Sequence, residues 1–213
     1  MALFEGQFSL DWILEMSGLK VTEVLQVVEN LIDTGILQKM GPGLFRFTDE
    51  SRRRRLAQAL PGNDRDLWHR SIADIFLREN RDDREAVLAA ASHLLHLSND
   101  EQGCGRLLQA GDLYRKTHKH QRALQCYQKI IDDLEGSDTD GGYEIFTSAV
   151  IAVSKIVELV PDVEATIPPL KTAIRKSRKR GDDSRTAFLE MHLAKNQWFC
   201  SNFKQALRHF NRG

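Results

Sequence analysis

The sequence has few cysteines, no long apolar run and no excess of either charge. Its 213 residues include only three cysteines, an odd number, and they lie far apart. Such cysteine usage is typical of a reducing compartment, so we expect a cytoplasmic protein. No stretch approaches the roughly 20 consecutive apolar residues that a membrane span needs, and the N-terminus does not resemble a signal peptide. We therefore expect no membrane association.

The charges of the chain balance, since thirty Lys and Arg residues face thirty Asp and Glu residues. This balance disfavours a dedicated nucleic-acid-binding protein, which usually carries a basic excess. Hydrophobic residues make up 41% and charged residues 28% of the chain, which is typical of a folded protein. The length suits one large domain or two small ones.

The first 62 residues predict a small domain with helices and one β-hairpin. Ser9 can cap a short helix that Gly18 ends, and a longer amphipathic helix covers residues 22–34. Two short β-prone segments then flank the Gly-Pro-Gly turn at residues 41–43, and a further helix follows. The order helix, helix, hairpin, helix is that of a winged helix, so we predict a winged-helix-like domain over residues 1–62.

DNA is the usual ligand of a winged helix, but the charges disfavour it here. Residues 1–48 contain three basic and six acidic residues, a net charge of −3, and the recognition helix has neither Lys nor Arg. Phosphate contacts need positive charge, so we interpret the domain as a packing module. The run Arg52–Arg55 keeps DNA binding open as an alternative. We expect ion pairing within its helix, because Asp49 and Glu50 lie four residues before the second and third arginines.

Residues 63–213 show a helical pattern throughout. The predicted helices cover the ranges 64–80, 83–98, 102–117, 119–134, 143–160, 163–179, 183–200 and 203–210. Pro168 and Pro169 are expected in the first turn of their helix or at a kink. A basic run at residues 175–180 ends its helix, where cations complement the helix dipole.

Six residues in this region match the spacing of a tetratricopeptide repeat, a helix–turn–helix unit of about 34 residues. They are Leu107, Gly111, Tyr114, Ala123, Tyr127 and Ile130. Gly111 and Ala123 are expected to let the two helices approach closely, with the two tyrosines beside them. A looser match recurs at Leu193, Ala194, Phe203, Ala206 and Phe210. We therefore predict a mostly α protein in which the winged helix is followed by an irregular tetratricopeptide-like α-solenoid.

Both ends of the chain carry apolar residues without a polar cap. Terminal repeats normally present a polar face, whereas Leu207 and Phe210 would lie uncovered in the last helix. An apolar segment also opens the chain at residues 2–4. We therefore expect a fragment of a longer protein, with the repeat region truncated at its C-terminus.

Several segments resemble the corresponding region of STAND proteins, the signal-transduction ATPases with numerous domains. They are Ala2–Phe8, Leu31–Leu37, Phe45–Phe47, Arg65–Ala73 and Ala89–Leu94. The resemblance implies that the winged helix packs on an upstream nucleotide-binding domain and that the helical repeats sense a ligand or partner. Bacterial members include large transcription regulators and chains fused to protein kinases or nucleotide cyclases.

The chain departs from that family in two ways. It contains no phosphate-binding loop, since no Gly-Lys pair occurs. Thr48 and Asp49 also stand where many relatives carry a histidine after the last strand of the winged helix. We therefore expect no bound nucleotide and no other cofactor.

The sequence offers weak candidates for catalysis and for metal binding. Cys126 lies near His118 and His120, but no catalytic signature fits, and we interpret these residues as a buried thiol and two turn residues. His93 and His96 share a helix face, but no second pair of ligands supports a zinc site. We expect neither an enzyme nor a metal protein.

These observations favour a non-catalytic sensor and protein-interaction arm of a larger signalling or transcription-regulating ATPase. A protein partner, or the upstream ATPase domain of the same protein, would bind the concave surface of the repeats. In the usual repeat frame, the side chains that face this surface are Asp112, Arg115, Lys195 and Trp198. Trp198 is the best anchor candidate, although a tryptophan more often packs inside the protein.

Two other functions stay open at this point. One is a DNA-binding transcriptional regulator that uses the winged helix. The other is a structural solenoid that holds an oligomer together.

Overall fold

The computed structural model describes residues 1–79, 83–159 and 162–211 of the chain. These residues belong to two compact units, Met1–Leu97 and Ser98–Gly213. The protein is 73% helical and has one small three-stranded antiparallel sheet near its N-terminus, which confirms the predicted mostly α fold with a β-hairpin. In the part of the chain that the structure describes, no helix is both long enough and apolar enough to cross a lipid bilayer.

The first unit begins with the topology of a winged helix. Its elements are β1 (Gln7–Ser9), α1 (Leu10–Ser17), α2 (Val21–Asp33), β2 (Leu37–Gly41), β3 (Leu44–Phe47) and α3 (Glu50–Gln58). The sheet order is β1-β3-β2 with antiparallel pairings, so that Phe8 lies opposite Phe45 and Leu37 lies opposite Phe47. No sequence pattern predicts β1, because three residues are too few to show an alternation of apolar and polar side chains.

Local capping explains where α1 begins and ends. The Ser9 side chain accepts a hydrogen bond from the backbone N–H of Asp11 at 3.2 Å. Gly18 ends the helix in the left-handed conformation, with φ at 61°, which a residue with a Cβ rarely adopts. Both residues have the roles that the sequence predicts for them.

Aromatic rings fill the core of the first unit. Phe8 is fully buried between Phe45 and Phe47, at centroid distances of 6.2 and 6.1 Å. Phe4 stacks on Phe8 and on Trp12, at 5.7 and 5.6 Å. These ring contacts hold the segment before β1 against the sheet and α1.

Two further helices, α4 (Gly62–Glu79) and α5 (Arg84–Leu94), belong to the same unit. They pack against each other, α4 also packs against α1, and Ile72 of α4 joins the apolar core. The compact unit therefore ends after Leu97, whereas the predicted domain boundary lies between residues 62 and 63. The sequence analysis places α4 and α5 in the repeat region. Helical periodicity shows that each helix has an apolar face, but it does not show which neighbour that face covers.

Three histidines cluster where α4 meets α5. The Nδ1 atoms of His69 and His93 lie 2.9 Å apart, and the ring of His69 stacks on that of His96 at 4.5 Å. Burial lowers the pKa of His69 to about 4 and that of His93 to about 3, and the charge of His96 acts in the same direction. Both buried imidazoles are therefore neutral at neutral pH.

The described residues of the second unit form three helical hairpins. They are α6 (Glu101–Lys116) with α7 (His120–Leu134), α8 (Asp140–Lys155) with α9 (Ile167–Arg180), and α10 (Asp183–Phe199) with α11 (Phe203–Phe210). Each hairpin covers the one before it, because α8 contacts both α6 and α7, and α10 contacts both α8 and α9. This stacking is that of a helical-repeat array.

The connection between α8 and α9 is more irregular than the predicted pair of long helices. Two short 3-10 turns, Val157–Leu159 and Glu164–Thr166, lie between α8 and α9. Pro168 and Pro169 occupy the first turn of α9, where a missing N–H costs no helical hydrogen bond. The predicted helix ends at Asn80 and Val160 lie outside the described residues.

Gly111 allows α6 and α7 to approach closely. A Cβ atom at this position would lie 2.6 Å from Cε1 of Tyr127, which is shorter than any tolerated contact. Tyr127 is fully buried, and its hydroxyl donates a hydrogen bond to Oδ1 of Asp112 at 2.8 Å. The glycine therefore faces the Tyr127 ring, and Ala123 is fully buried in α7 of the same hairpin.

Alanine at two glycines of α6 should change stability in opposite directions. Gly111→Ala should lower the free energy of unfolding by about 1–2 kcal/mol, because overpacking against the Tyr127 ring outweighs the gain in helix propensity. Gly105→Ala should raise it by about 0.5–1 kcal/mol, because its methyl group would meet Ile145 at an ordinary distance of 3.8 Å. Urea denaturation followed by circular dichroism measures both. Stabilisation by both substitutions would contradict the close approach of α6 and α7.

Acidification from about pH 7 to about pH 5 should destabilise the first unit. Unfolded histidines have a pKa near 6.5 and take up protons in this range, whereas folded His69 and His93 stay neutral. The unfolded state then binds more protons, so the free energy of unfolding falls as the pH falls. The urea midpoint should be measured by tryptophan fluorescence in a Trp198→Phe background, in which Trp12 and Trp68 report on the first unit alone.

The matched control is the same chain with His69→Gln and His93→Gln. Its urea midpoint should depend less steeply on pH over the same range, whatever its absolute stability. An equally steep slope would show that other groups cause the pH dependence.

Candidate functional site

The inner helices of the second unit, α6, α8 and α10, line a groove of about 860 Å³. Helix α8 packs against both of the others, and Phe210 of α11 lies at the edge of the groove. The predicted residues Asp112 and Arg115 belong to its wall on α6. They lie one helical turn apart, so their side chains share a face.

Asp112 joins the groove to the core of the first hairpin. Its Oδ1 accepts the hydrogen bond of the Tyr127 hydroxyl at 2.8 Å and lies 3.4 Å from Nη2 of Arg115. Burial raises the pKa of Tyr127, and its hydrogen bond to Asp112 adds to this effect, so the phenol keeps its proton. Asp112 is therefore held in a fixed position, with Arg115 beside it in the wall of the groove.

The charged groups that α10 contributes are already paired. Asp182 caps α10 by accepting from the N–H of Arg185, which lowers the pKa of its carboxyl, and it also accepts from the Tyr143 hydroxyl at 3.0 Å. The guanidinium of Arg185 donates to Thr147 at 2.6 Å and lies 2.7 Å from Glu144. These bonds fix the wall of the groove before any ligand arrives.

Among the described residues, Lys155 of α8 is the cation of the groove lining that has no ion pair. Within the described ranges, 1–79, 83–159 and 162–211, its ammonium group has no hydrogen bond and no ion pair. It is exposed at the end of α8, next to the apolar lining of the groove. An acidic group of a ligand can therefore pair with Lys155 without breaking an internal bond.

Apolar side chains complete the groove. They are Leu108, Ile151, Ala152, Ala187, Phe188 and Met191. Phe188 and Met191 are 41% and 42% exposed, so they offer surface that a ligand can bury. The ring of Phe188 is held in place by an edge-to-face contact with His192, at a centroid distance of 4.7 Å.

The other two predicted residues, Lys195 and Trp198, line a separate pocket of about 320 Å³ between α10 and α11. Trp198 is 63% exposed, so it is not packed inside a neighbouring repeat, and its ring meets Phe203 edge to face at 4.8 Å. Lys195 lies 3.5 Å from Glu158. The structure thus brings the four candidates together as two pairs, and both sites share Met191 and Phe210 as lining residues.

Sequence reasoning misses the groove residues Lys155, Arg185 and Phe188. The repeat spacing is recognisable in α6 and α7 and, loosely, in α10 and α11, but it assigns no frame to α8. Ala123 and Ala206 are separated by about two long repeats, so a further hairpin fits between the two matched segments. Placing a repeat there would have predicted which side chains of α8 face the groove.

The four arginines of α3 differ in their surroundings. Arg53 is buried and donates to Glu50 at 2.8 and 2.6 Å and to the carbonyl of Ala2 at 2.6 Å. The predicted pair of Glu50 and Arg54 is present at 3.1 Å, but Asp49 caps the helix instead of pairing with Arg53. The bonds to Arg53 lower the pKa of Glu50 to about 2. Two of the four arginines are thus engaged within the domain.

The basic run at residues 175–180 makes contacts inside the second unit. Lys176 donates to a backbone carbonyl in the loop before α8, and Arg178 pairs with the buried carboxylate of Glu190. Arg180 stacks on a tyrosine ring of α8 at 4.6 Å. The run ends α9, as predicted, and three of its cations are tied to neighbouring elements.

Burial also decides the chemistry of the thiols and imidazoles. It raises the pKa of Cys126 to about 12, so this thiol is protonated at neutral pH and is a poor nucleophile. The histidine cluster of the first unit uses ring nitrogens for an internal contact. Among the described residues, no group of three or more His, Cys, Asp or Glu side chains is arranged to hold a metal ion.

Comparison with known proteins does not identify the family of the chain, so the resemblance to STAND proteins stays a prediction. No family model, no curated protein and no solved structure gives a significant match to this sequence.

Proposed function

We propose that the chain is a non-catalytic protein-interaction arm that holds a segment of a partner protein in the groove of α6, α8 and α10. The partner is another protein or the upstream ATPase domain of the same protein. The observation that supports this most directly is the lining of the groove, which combines exposed Phe188 and Met191 with the exposed side chain of Lys155.

The resemblance to STAND proteins supports the wider setting of this proposal. In that setting the arm belongs to a cytoplasmic signalling or transcription-regulating ATPase and senses a partner through its helical repeats. The chain has no phosphate-binding loop of its own, so nucleotide hydrolysis would be the work of another domain.

The chemistry of the groove favours a protein segment over a nucleic acid. In its wall, Arg115 and Arg185 already pair with the carboxylates of Asp112 and Asp182, so these two guanidinium groups are not available to bind phosphates. A peptide can instead place apolar side chains against Phe188 and Met191 and a carboxylate against Lys155. Such a combination of an apolar centre and a charged rim is typical of protein interfaces.

Peptide selection on the whole chain tests the groove directly. Random peptides displayed on phage are selected on the immobilised protein, and enriched sequences are measured by fluorescence anisotropy. Lys155→Glu and Phe188→Ala should each weaken their binding by about tenfold or more, which is the effect of losing one important contact. Enriched peptides should carry an acidic residue together with apolar ones.

The matched control is Lys171→Glu, which reverses the charge of a lysine on α9 that is also exposed but lies outside the groove. It should leave the affinities unchanged. Equal losses in Lys171→Glu and Lys155→Glu would reveal a general charge effect, and unchanged binding in both groove variants would refute the proposed site.

A further inference from the structure

His192 of α10 is a buried imidazole whose protonation is not fixed by a hydrogen bond. It is 7% exposed, and neither Nδ1 nor Nε2 has a hydrogen-bond partner among the described residues. A neutral imidazole has one N–H donor and one acceptor nitrogen, and protonation makes both nitrogens donors. Because buried polar groups are normally paired, this ring is an exception among the core residues of the second unit.

Three other histidines differ from His192 in this respect. His209 of α11 contacts the buried carboxylate of Glu190 through its Nδ1 atom at 2.6 Å. His69 and His93 contact each other through their Nδ1 atoms. Each of these rings has a direct partner, whereas the protonation of His192 depends on burial and on the charges around it.

Two lysines provide the charges that act on His192. Burial lowers the pKa of His192 to about 4, and the charges of Lys155 of α8 and Lys195 of α10 act in the same direction. Lys195 is already paired with Glu158 at 3.5 Å. Lys155 lines the groove and has no ion pair with any residue that the structure describes. Its charge is therefore the one that a ligand of the groove can neutralise.

Among the described residues, the other elements packed against α10 contribute no charge that acts on this imidazole. Helix α10 also packs against α9, α11 and the 3-10 turn Glu164–Thr166. Arg178 of α9 and His209 of α11 both pair with the carboxylate of Glu190. In the 3-10 turn, the charge of Glu164 acts on the thiol at the end of α10. The response of the imidazole to a ligand therefore depends on the lysine of the groove.

The ring of Phe188 lies between these two features, because it contacts His192 and also lines the groove. It meets the imidazole edge to face at a centroid distance of 4.7 Å, and it is 41% exposed. A ligand that buries Phe188 and pairs with Lys155 brings a negative charge close to His192 and excludes water there. Charge interactions become stronger where water is excluded.

We propose that the groove binds an acidic segment together with a proton, which His192 takes up from the solvent when a carboxylate of the ligand pairs with Lys155. The inference rests on the proposed function, because it assigns a pH dependence to the same groove. The carboxylate cancels the charge of Lys155 and so favours the imidazolium form of His192. Binding and protonation then favour each other, so the ligand binds more tightly as the pH falls from about 7 to about 5.

Substitutions of Lys155 test the coupling without a ligand. The Cε1–H signal of His192 in NMR spectra reports its protonation and is assigned by its absence in His192→Asn. In the unmodified chain this imidazole should stay largely neutral down to about pH 5. Lys155→Met removes a positive charge and should raise the midpoint of the titration by about one pH unit, and Lys155→Glu should raise it further. An unchanged titration in both variants would overturn the proposal.

A fully ionised probe tests the coupling during binding. Phenylpropanesulfonate combines an aromatic ring with a negative charge that does not titrate in this range, and phenylpropanesulfonamide is its neutral counterpart. NMR titration of the whole chain should show that the sulfonate binds about two- to tenfold more tightly at about pH 5 than at about pH 7. The sulfonamide should bind equally at both pH values. Equal binding of the sulfonate at both would contradict proton uptake.

Two histidine variants identify the residue responsible. His192→Asn should remove the pH dependence of sulfonate binding, whereas His118→Asn, at an exposed turn of the same unit, should retain it. An equal pH dependence in His192→Asn would overturn the proposal. The signal of His192 in the unmodified chain gives the same answer if that variant does not fold. Saturation with the sulfonate should raise its titration midpoint, and an unchanged midpoint would rule out the coupling.

Lys155→Glu separates this inference from the proposed function. At about pH 7 this variant should weaken the sulfonate by about tenfold, and Lys171→Glu should not. No effect of Lys155→Glu would refute the groove site and the coupling with it. Binding that depends on Lys155 but not on pH would leave the groove site standing and would overturn the proton coupling alone.

Discussion

The absence of a side chain at Gly111 is the constraint on which the second unit depends. It allows the ring of Tyr127 to lie directly against the backbone of α6, and the Tyr127 hydroxyl then reaches Asp112. A buried phenol needs such a partner, since an unpaired buried hydroxyl destabilises the folded state. The close approach of two helices therefore also fixes a carboxylate at the surface where α6 borders the groove.

The groove shows how a helical array can offer a surface to a partner. In the groove most charges are paired internally, so the wall is rigid and ordering it costs a ligand little. The groove therefore provides a preformed surface for a ligand.

The sequence predicts those features of the fold that depend on neighbours along the chain. The cap at Ser9, the stop at Gly18 and the helices of the first hairpin follow from local spacing, and the structure has them. The unit to which α4 and α5 belong could not be predicted in this way, because an apolar face does not specify its partner. The same limit applies to the site, where Asp112 and Arg115 share a wall but Lys195 and Trp198 lie in another pocket. The sequence likewise does not show whether the Asp49 carboxylate pairs with Arg53 or caps α3, and the structure shows that it caps the helix.

The contact between His69 and His93 has a consequence for the protons of the first unit. Two Nδ1 atoms at 2.9 Å can share only one hydrogen when both rings are neutral, so one nitrogen donates and the other accepts. The two imidazoles must then adopt opposite tautomers, with the remaining hydrogen of the accepting ring on its Nε2 atom. If the hydrogen moves from one Nδ1 atom to the other, a hydrogen must also be lost at one Nε2 atom and gained at the other. Both rings then exchange their tautomers together. Helices α4 and α5 are therefore joined by a pair whose members cannot change tautomer independently.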